Sequence, residues 1–194
     1  MLRIIREFRR FVLGILAALA LAAAGTAPAS AQSANGYTMD EIIAEGHEFF
    51  GTTAGGLAQL IELAFQDYGL PNGYILGEEA AGAFFGGLRF GEGTLFTKNA
   101  GEHRLFWQGP SLGFDIGGDG ARTMMLVYNL PSVEGVYGRF GGITGNAYLV
   151  GGLGMTVLKR DDIVIVPVKT GVGARLGINL GYLKLTPMPT WNPF

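Results

Sequence analysis

The sequence predicts a mainly β protein: a small soluble antiparallel β-barrel of about eight strands with two amino-terminal α-helices packed on it. Two segments with helical periodicity follow an apolar leader. From residue 74 onward, apolar residues recur with a period near two, and glycine or Asn/Asp turn signals come about every 8 to 12 residues. Glycine is abundant, at 33 of 194 residues, and many glycines fall inside the strand patterns.

The first 31 residues have the pattern of a cleavable secretory signal peptide. Four arginines form a basic start, residues 11–24 are an unbroken run of 14 apolar or small residues, and residues 29–31 read Ala-Ser-Ala. Such a run is too short for a membrane anchor, which needs about 20 residues. We therefore predict cleavage between Ala31 and Gln32 and export to the periplasm of a Gram-negative-type cell, with residues 32–194 forming a single domain.

Loss of the leader changes the charge of the chain. The leader holds four of the 14 basic residues and one of the 16 acidic residues, which leaves a net charge of −5 on the mature chain. This charge argues against nucleic acid or an anionic membrane surface as a partner. The chain has no cysteine, which excludes disulfides, thiolate metal sites, thiol catalysis and lipid attachment at the cleavage site.

Residues 32–73 form the predicted helical segment. Thr38 and Glu41 have the spacing of a capping box, and the helix that they start should end at Gly51. A second helix should begin near Thr53 and end at Gly69. Its apolar stripe consists of Leu57, Leu60, Ile61, Ala64, Phe65 and Tyr68. Both helices should bury their apolar faces against the rest of the chain.

Residues 74–186 form the predicted β segment. Candidate strands lie at 82–90, 93–98, 103–108, 111–116, 122–129, 145–151, 153–159, 162–168 and 174–186, and residues 132–140 are expected to be a helical turn or loop. Eight or nine strands at this spacing suit a sandwich or a closed barrel. The glycines inside the strands favour the barrel, where tight coiling requires them.

Strand periodicity also predicts which faces are buried. Residues 124–127 (Met-Met-Leu-Val) are apolar on both faces, so one face should fill the barrel and the other should lie under the helices. The alternation changes parity near Tyr182, which predicts a β-bulge there. Glu78 and Glu79 are adjacent, so they should face opposite ways, and we expect both at a solvated entry to the barrel.

Three motifs imitate catalytic or cofactor sites. Ser111 lies in a G-x-S-x-G string, but the chain continues as strand and no histidine follows His103. His47 opens an H-E-x-x-H-like string in which Gly51 replaces the second histidine. Residues 171–177 mimic a dinucleotide loop with the wrong spacing. The sequence therefore predicts no catalytic residue, no metal site and no cofactor.

Four stretches that are spread over nearly all of the mature chain carry a family resemblance. They are residues 77–84 (GEEAAGAF), 107–115 (WQGPSLGFD), 126–131 (LVYNLP) and 171–194, which closes with the distinctive Thr-Trp-Asn-Pro-Phe. These stretches resemble the EipA family of alphaproteobacterial envelope-integrity proteins. The resemblance implies a soluble periplasmic barrel of about eight strands with amino-terminal helices, needed for resistance to envelope stress. The family offers no catalytic residues to carry over, and the glycine-rich carboxyl half is also similar, more faintly, to SYLF lipid-binding domains.

The expected function is therefore non-enzymatic support of cell-envelope integrity, through contacts with envelope components that the sequence does not identify. The alternative is a periplasmic carrier or sensor that binds a lipid or another apolar ligand, because a small barrel is either filled by side chains or holds one ligand. An integral outer-membrane barrel is not expected. Most candidate strands are shorter than the roughly 9 to 11 residues that such barrels need, and three prolines interrupt the end of the chain.

Residues 187–194 are predicted to form an extended, proline-rich strap. The strap carries Trp191 and Phe194, and aromatic rings of this size each bury about 150–250 Å² when covered. It can act as a lid that plugs a barrel end or covers the helices. It can also present Trp191 and Phe194 as an exposed anchor for an envelope partner. Deletion of residues 190–194 distinguishes the two, because only a lid should add to the stability of the isolated domain.

Overall fold

The first helix begins where its capping signal predicts. The computed structural model describes residues 35–51, 55–82, 87–110, 121–170 and 181–192, and helix α1 spans Met39–Phe50. The Glu41 amide donates to the Thr38 hydroxyl (3.3 Å), and the Thr38 amide donates to the Glu41 carboxylate (2.7 Å). This reciprocal pair confirms the capping box. The helix ends at Gly51, whose φ of +93° is a conformation that glycine adopts without strain.

Helix α2 spans Leu57–Tyr68 and ends at Gly69 (φ +75°), as predicted. It begins later than the expected Thr53; residues 52–54 lie outside the described ranges. A Cβ on Gly56, at its start, would lie 2.2 Å from the carbonyl oxygen of Val150, so glycine lets the helix approach the barrel backbone closely. Neither helix of the described ranges is long and apolar enough to cross a bilayer.

Eight antiparallel strands lie within the described residues. They are β1 (Gly73–Gly82), β2 (Leu88–Thr97), β3 (Gly101–Pro110), β4 (Ala121–Tyr128), β5 (Gly138–Val150), β6 (Leu153–Arg160), β7 (Ile163–Thr170) and β8 (Tyr182–Thr186). A 3-10 turn at Val133–Val136 connects β4 to β5. The stretch 132–140, predicted as a helical turn or loop, therefore contains this single helical turn, and its last three residues belong to β5.

The strands close into a barrel in the order β1-β2-β3-β8-β5-β6-β7-β4, with β4 returning to β1. Four of the pairs join strands that follow each other in sequence: β1 with β2, β2 with β3, β5 with β6, and β6 with β7. Strand β4 instead pairs with β1 and β7. The last strand, β8, lies between β3 and β5. Closure confirms the predicted barrel and excludes a two-sheet sandwich.

The helices pack on the outer face of one side of the barrel. Ile42 of α1 and the α2 stripe are buried there against outward-facing residues of β1, β4, β6 and β7. Met124 and Leu126 belong to this layer, whereas Met125 and Val127 point into the barrel. The prediction that residues 124–127 are buried on both faces is therefore confirmed. Phe96, near the end of β2, also packs against this layer, whereas no residue of β3 or β8 within the described ranges belongs to it.

The barrel interior is filled by its own side chains. The inward set is Ile75, Leu95, Leu105, Trp107, Met125, Val127, Phe140, Leu158, Ile163, Ile165, Leu183 and Leu185. Leu130 and Val136, from the connection between β4 and β5, join the same core. Arg160 donates to the carbonyl oxygens of Tyr137 (2.6 Å) and Gly135, and its guanidinium lies 4.6 Å from the Phe140 ring centroid. These contacts fix the connection across one barrel end.

Several predicted strand boundaries are wrong. The first strand begins at Gly73 rather than residue 82, and β5 extends back to Gly138 instead of starting at residue 145. Both errors have one cause: the prediction treats glycine as a turn signal, whereas this barrel places glycines inside paired strands. The candidate strand 111–116, and the part of the last one before residue 181, lie outside the described ranges. The bulge predicted near Tyr182 stays a prediction, whereas β5 has a register shift between Gly142 and Ala147.

Candidate functional site

An open groove of about 570 Å³ lies on the outer wall of the barrel, across from the helices. Outward-facing alternate residues of β1, β2 and β3 form most of its floor. These floor residues include Glu78, Phe90, Glu92, Arg104, Phe106 and Gln108. The inward-facing residues Glu79, Gly91 and Trp107 also line the groove from the barrel wall. Residues 189–191 of the strap form the facing wall. We call this feature the outer groove.

The strap reaches the outer groove because polar contacts fix its path after β8. The Thr186 hydroxyl donates to the carbonyl oxygen of Met188 (2.8 Å), and Lys184 Nζ donates to the carbonyl oxygen of Asn192 (3.2 Å). The Asn192 amide donates to the Thr190 hydroxyl (3.2 Å). Residues 187–192 contain neither helix nor strand, as their prolines predict. The strap is therefore an ordered wall rather than an added strand.

Trp191, which the sequence singles out for a partner or lid contact, lies at the edge of the groove. Its ring centroid is 5.2 Å from that of Phe90 at an angle of 59°, yet 82% of the residue is exposed. The described strap lines the outer wall, away from the helices. Phe194, the second residue singled out, lies outside the described ranges, as do Ala31 and Gln32 of the predicted cleavage site.

Charged side chains lie on the groove floor. Arg104 donates to the carboxylate of Glu92 (3.0 Å), and its guanidinium lies 5.4 Å from the ring centroid of Phe106. Both partners of this ion pair are exposed, so the pair adds little stability. Glu78 is also exposed and makes no ion pair within the described part of the chain. The floor thus offers one paired and one unpaired carboxylate.

Gln108 is the one groove residue whose polar group is buried without being satisfied. It faces outward between Phe90 of β2 and Lys184 of β8, and only 1% of it is exposed. Its amide nitrogen has no hydrogen-bond partner among the described residues. A buried donor without a partner costs about 1–3 kcal/mol, so such groups commonly belong to sites that a ligand or water completes.

At the inner side of the groove, the barrel wall holds Glu79 and Arg89, which are buried, together with Lys169, which is part-buried; we call these three residues the buried charge cluster. Glu79 Oε1 accepts from Lys169 Nζ (2.5 Å), and Oε2 accepts from Trp107 Nε1 (2.8 Å). Arg89 is also buried, and its guanidinium donates to the carbonyl oxygen of Tyr182 (3.4 Å). The solvated position expected for Glu79 is therefore wrong, whereas Glu78 does face outward, as the alternation requires.

The electrostatics of Glu79 indicate a structural role. Burial raises the pKa of its carboxyl, but the charges of Lys169 and Arg89 and the two hydrogen bonds outweigh burial, so the pKa lies below its usual value. Both carboxylate oxygens are already occupied. A general base needs a free oxygen and a pKa near the working pH. Glu79 is therefore suited to hold the barrel wall together, not to move protons.

The other motifs that imitate sites do not meet at a site in the structure. His47 lies on α1 and His103 on β3, and no three His, Asp or Glu residues of the described ranges are close enough to hold a metal ion. Ser111 and residues 171–177 lie outside those ranges. The prediction of no catalytic, metal or cofactor site therefore stays a prediction.

Sequence reasoning found Trp191 but missed the rest of the outer groove. Phe90, Phe106 and Trp191 come from three distant parts of the chain, and only the order of the strands brings them together. The available signal was the outward parity of β2 and β3, where aromatic residues occupy exposed-face positions. That parity could not be used because the boundary between β1 and β2 was predicted in the wrong place.

Comparison with known proteins now identifies the fold's family. Residues 35–194 match the family model described as EipA, envelope integrity protein A. The chain belongs to the EipA family. This confirms the resemblance carried by the four sequence stretches, and the match includes the helices, all described strands and the strap.

A solved structure shows the same architecture. It is that of a beta-barrel-like, uncharacterized protein from Brucella abortus, which has 63% sequence identity to this chain and superimposes with a TM-score of 0.77. The match covers 83% of this chain and 100% of the other. No curated protein matches the chain. Membership of the EipA family therefore indicates a role in the cell envelope without assigning a molecular activity.

Proposed function

We propose that this protein is a non-enzymatic periplasmic factor that supports envelope integrity and resistance to envelope stress by binding another envelope component on its outer surface. The observation that carries the proposal is the EipA family match over residues 35–194. The signal-peptide pattern of residues 1–31 supports the proposed periplasmic location.

The packing of the barrel supports the choice of the outer surface. Large side chains such as Trp107 and Phe140 occupy the interior, where a carrier of this size would hold its ligand. The outer groove is open, and it combines the exposed ring of Trp191 with a buried, unsatisfied donor on Gln108. A binding factor needs such a surface, whereas a hydrolase needs a nucleophile and a base that the described residues do not bring together.

Deletion of the gene in its own host tests the proposed role. We expect the deletion strain to lose viability in detergent, in low-osmolarity medium and under a cell-wall antibiotic, and the full-length gene to restore it. A gene that lacks codons 2–31 should fail to restore it despite equal protein levels. Unchanged survival of the deletion strain, or rescue by the leaderless form, would contradict the proposal.

A second candidate is a carrier or sensor for a lipid or another apolar molecule. The rings of Phe90 and Phe106 and the side chain of Pro189 give the outer groove an apolar share of surface that favours it. Native mass spectrometry of protein purified from its own periplasm tests this candidate. A lipid that co-purifies reproducibly at one copy per chain would support it, and a mass equal to that of the mature chain alone would count against it.

A further inference from the structure

We infer that the outer groove binds a glycan strand of the cell wall, a polymer of N-acetylated sugar rings. This inference rests on the proposed function and names the component that the outer surface would contact. It is carried by the aromatic rings around the groove, by its mixture of donors and acceptors, and by the pairing of β2, in the middle of the floor, with β1 and β3 along its whole length.

The aromatic rings provide flat surfaces at the right places. Trp191 stands on the strap with 82% of its surface exposed, and Phe90 supports it from the floor at 5.2 Å. Phe106 lies on the neighbouring strand, held under the guanidinium of Arg104. The face of an aromatic ring is electron-rich and attracts the polarised C–H groups on the apolar face of a sugar ring. Trp191 is therefore placed to stack a sugar against the groove.

The polar groups match the edges of such a ring. Glu78 and Glu92 supply acceptors, Arg104 supplies donors, and the amide nitrogen of Gln108 is a buried donor without a partner. A sugar hydroxyl donates and accepts at the same time, and an N-acetyl group adds one carbonyl acceptor and one N–H donor. An N-acetylated sugar can therefore satisfy Gln108 and the carboxylates together. A volume of about 570 Å³ is within the range of small-ligand sites, roughly 300–1,000 Å³.

The same groups disfavour the other occupants of a groove with aromatic walls. An acyl chain would remove water from Glu78, Glu92 and Arg104 without replacing their hydrogen bonds, which costs several kcal/mol. An anionic headgroup would meet the unpaired carboxylate of Glu78. A peptide that binds by adding a strand needs a free strand edge, but β2 is paired along its length with β1 on one side and β3 on the other. An uncharged sugar polymer can replace the hydrogen bonds of water, is not repelled by Glu78 and needs no free strand edge.

Co-sedimentation with purified cell-wall sacculi tests the inference with the folded mature chain. Wild-type protein should pellet with sacculi, and tri-N-acetylchitotriose should release it. Trp191→Ala and Glu78→Ala should each weaken binding about tenfold or more, because each removes a side chain that is placed to contact the sugar directly. Both residues are exposed, so neither variant should unfold the domain. The matched control is Met188→Ala, which truncates a 71% exposed side chain of the same strap outside the groove lining and should leave binding unchanged.

Tryptophan fluorescence places the contact independently. The chain has two tryptophans, and Trp107 is 1% exposed whereas Trp191 is 82% exposed. Binding of tri-N-acetylchitotriose should shift the emission of the wild-type protein to shorter wavelength. Trp191→Phe should abolish the shift and keep most of the sacculus binding, since a phenyl ring still stacks.

Three results would overturn the inference. They are no sedimentation of the wild-type protein with sacculi, full binding by Trp191→Ala, and binding to phosphatidylglycerol vesicles in place of sacculi. The proposed function is tested separately, by the stress sensitivity of the deletion strain. If the deletion strain is sensitive and a gene that encodes Trp191→Ala restores its stress resistance fully, the proposed glycan site is wrong, but the proposed envelope role stands. If the deletion strain is not sensitive, the envelope role itself is wrong, whatever the sacculi bind.

Discussion

Glu78 and Glu79 show how one position in a strand decides the chemistry of a carboxylate. Glu78 faces the open groove, whereas Glu79 is buried and shared between Lys169 and Trp107. Burial of a charge is tolerated when both oxygens have partners, and it becomes costly when one partner is removed. Substitution of Glu79 therefore tests the contribution of the buried carboxylate to stability, and the same substitution of Glu78 is the control.

Glu79→Gln should destabilise the fold at neutral pH by about 2–3 kcal/mol, because it leaves the charges of Lys169 and Arg89 without their carboxylate. Glu78→Gln should change stability by less than about 0.5 kcal/mol. Urea denaturation followed by circular dichroism measures both. Equal effects of the two substitutions would show that the buried charge cluster does not support the barrel.

The pH dependence of the same variant has a defined sign. The folded-state pKa of Glu79 lies below its usual value of 4.5, so its contribution to stability is present above that value and is lost as the pH falls through the folded-state pKa. The difference between wild type and Glu79→Gln should therefore be constant above pH 4.5 and shrink below it. Urea titrations at a series of acidic pH values measure this. A difference that grows towards low pH would reverse the assignment.

Gly91 is fixed by the ring behind it. A Cβ at this position would lie 2.2 Å from Cε2 of the buried Trp107, which has no space to move. Gly91→Ala should cost about 1–3 kcal/mol through overpacking. Gly141→Ala is the control, because a Cβ there meets no atom within 4 Å. Thermal melts of the two variants should differ accordingly, and similar melting temperatures would show that the wall yields at Gly91.

At the level of elements, the capping box is the clearest link between sequence and structure. Thr38→Ala removes the hydroxyl that accepts from the Glu41 amide and should lower stability by about 1 kcal/mol. Thr38→Ser keeps the hydroxyl and should stay close to wild type. Urea denaturation of both variants checks this, and an equal loss in Thr38→Ser would mean that the methyl group, not the cap, matters.

Local sequence signals predicted the helices and the buried faces of β4. Contacts between residues that lie far apart in the sequence were not predicted. Thr38, Gly51 and Gly69 act within a few residues, so the sequence contains the whole signal. Residues 124–127 are apolar on both faces, which is also readable locally. The partner of Glu79 is Lys169, 90 residues away, and no local pattern points to it. The outer groove was not predicted for the same reason: its floor and wall come from segments that are far apart in the sequence.

At the level of the whole molecule, we expect loss of the strap to affect function more than stability. Trp191 is largely exposed, and hydrogen bonds from Thr186, Lys184 and the Asn192 amide fix the path of the described strap. Deletion of residues 190–194 should therefore lower the melting temperature by no more than about 2 °C and should fail to restore stress resistance in the deletion strain. A large loss of thermal stability would favour the lid instead, and unchanged stability with full rescue would exclude both roles.

The position of β8 governs when the molecule can fold. This five-residue strand is the last in chain order, yet it lies between β3 and β5 and is paired with both. The ring of strands stays open until that segment is available, and its long-range pairings are slow to form. The signal-peptide pattern of residues 1–31 predicts export, and export through a narrow membrane channel requires an unfolded chain. Because β8 pairs last, we expect the barrel of the nascent chain to close only after nearly the whole chain has been synthesised.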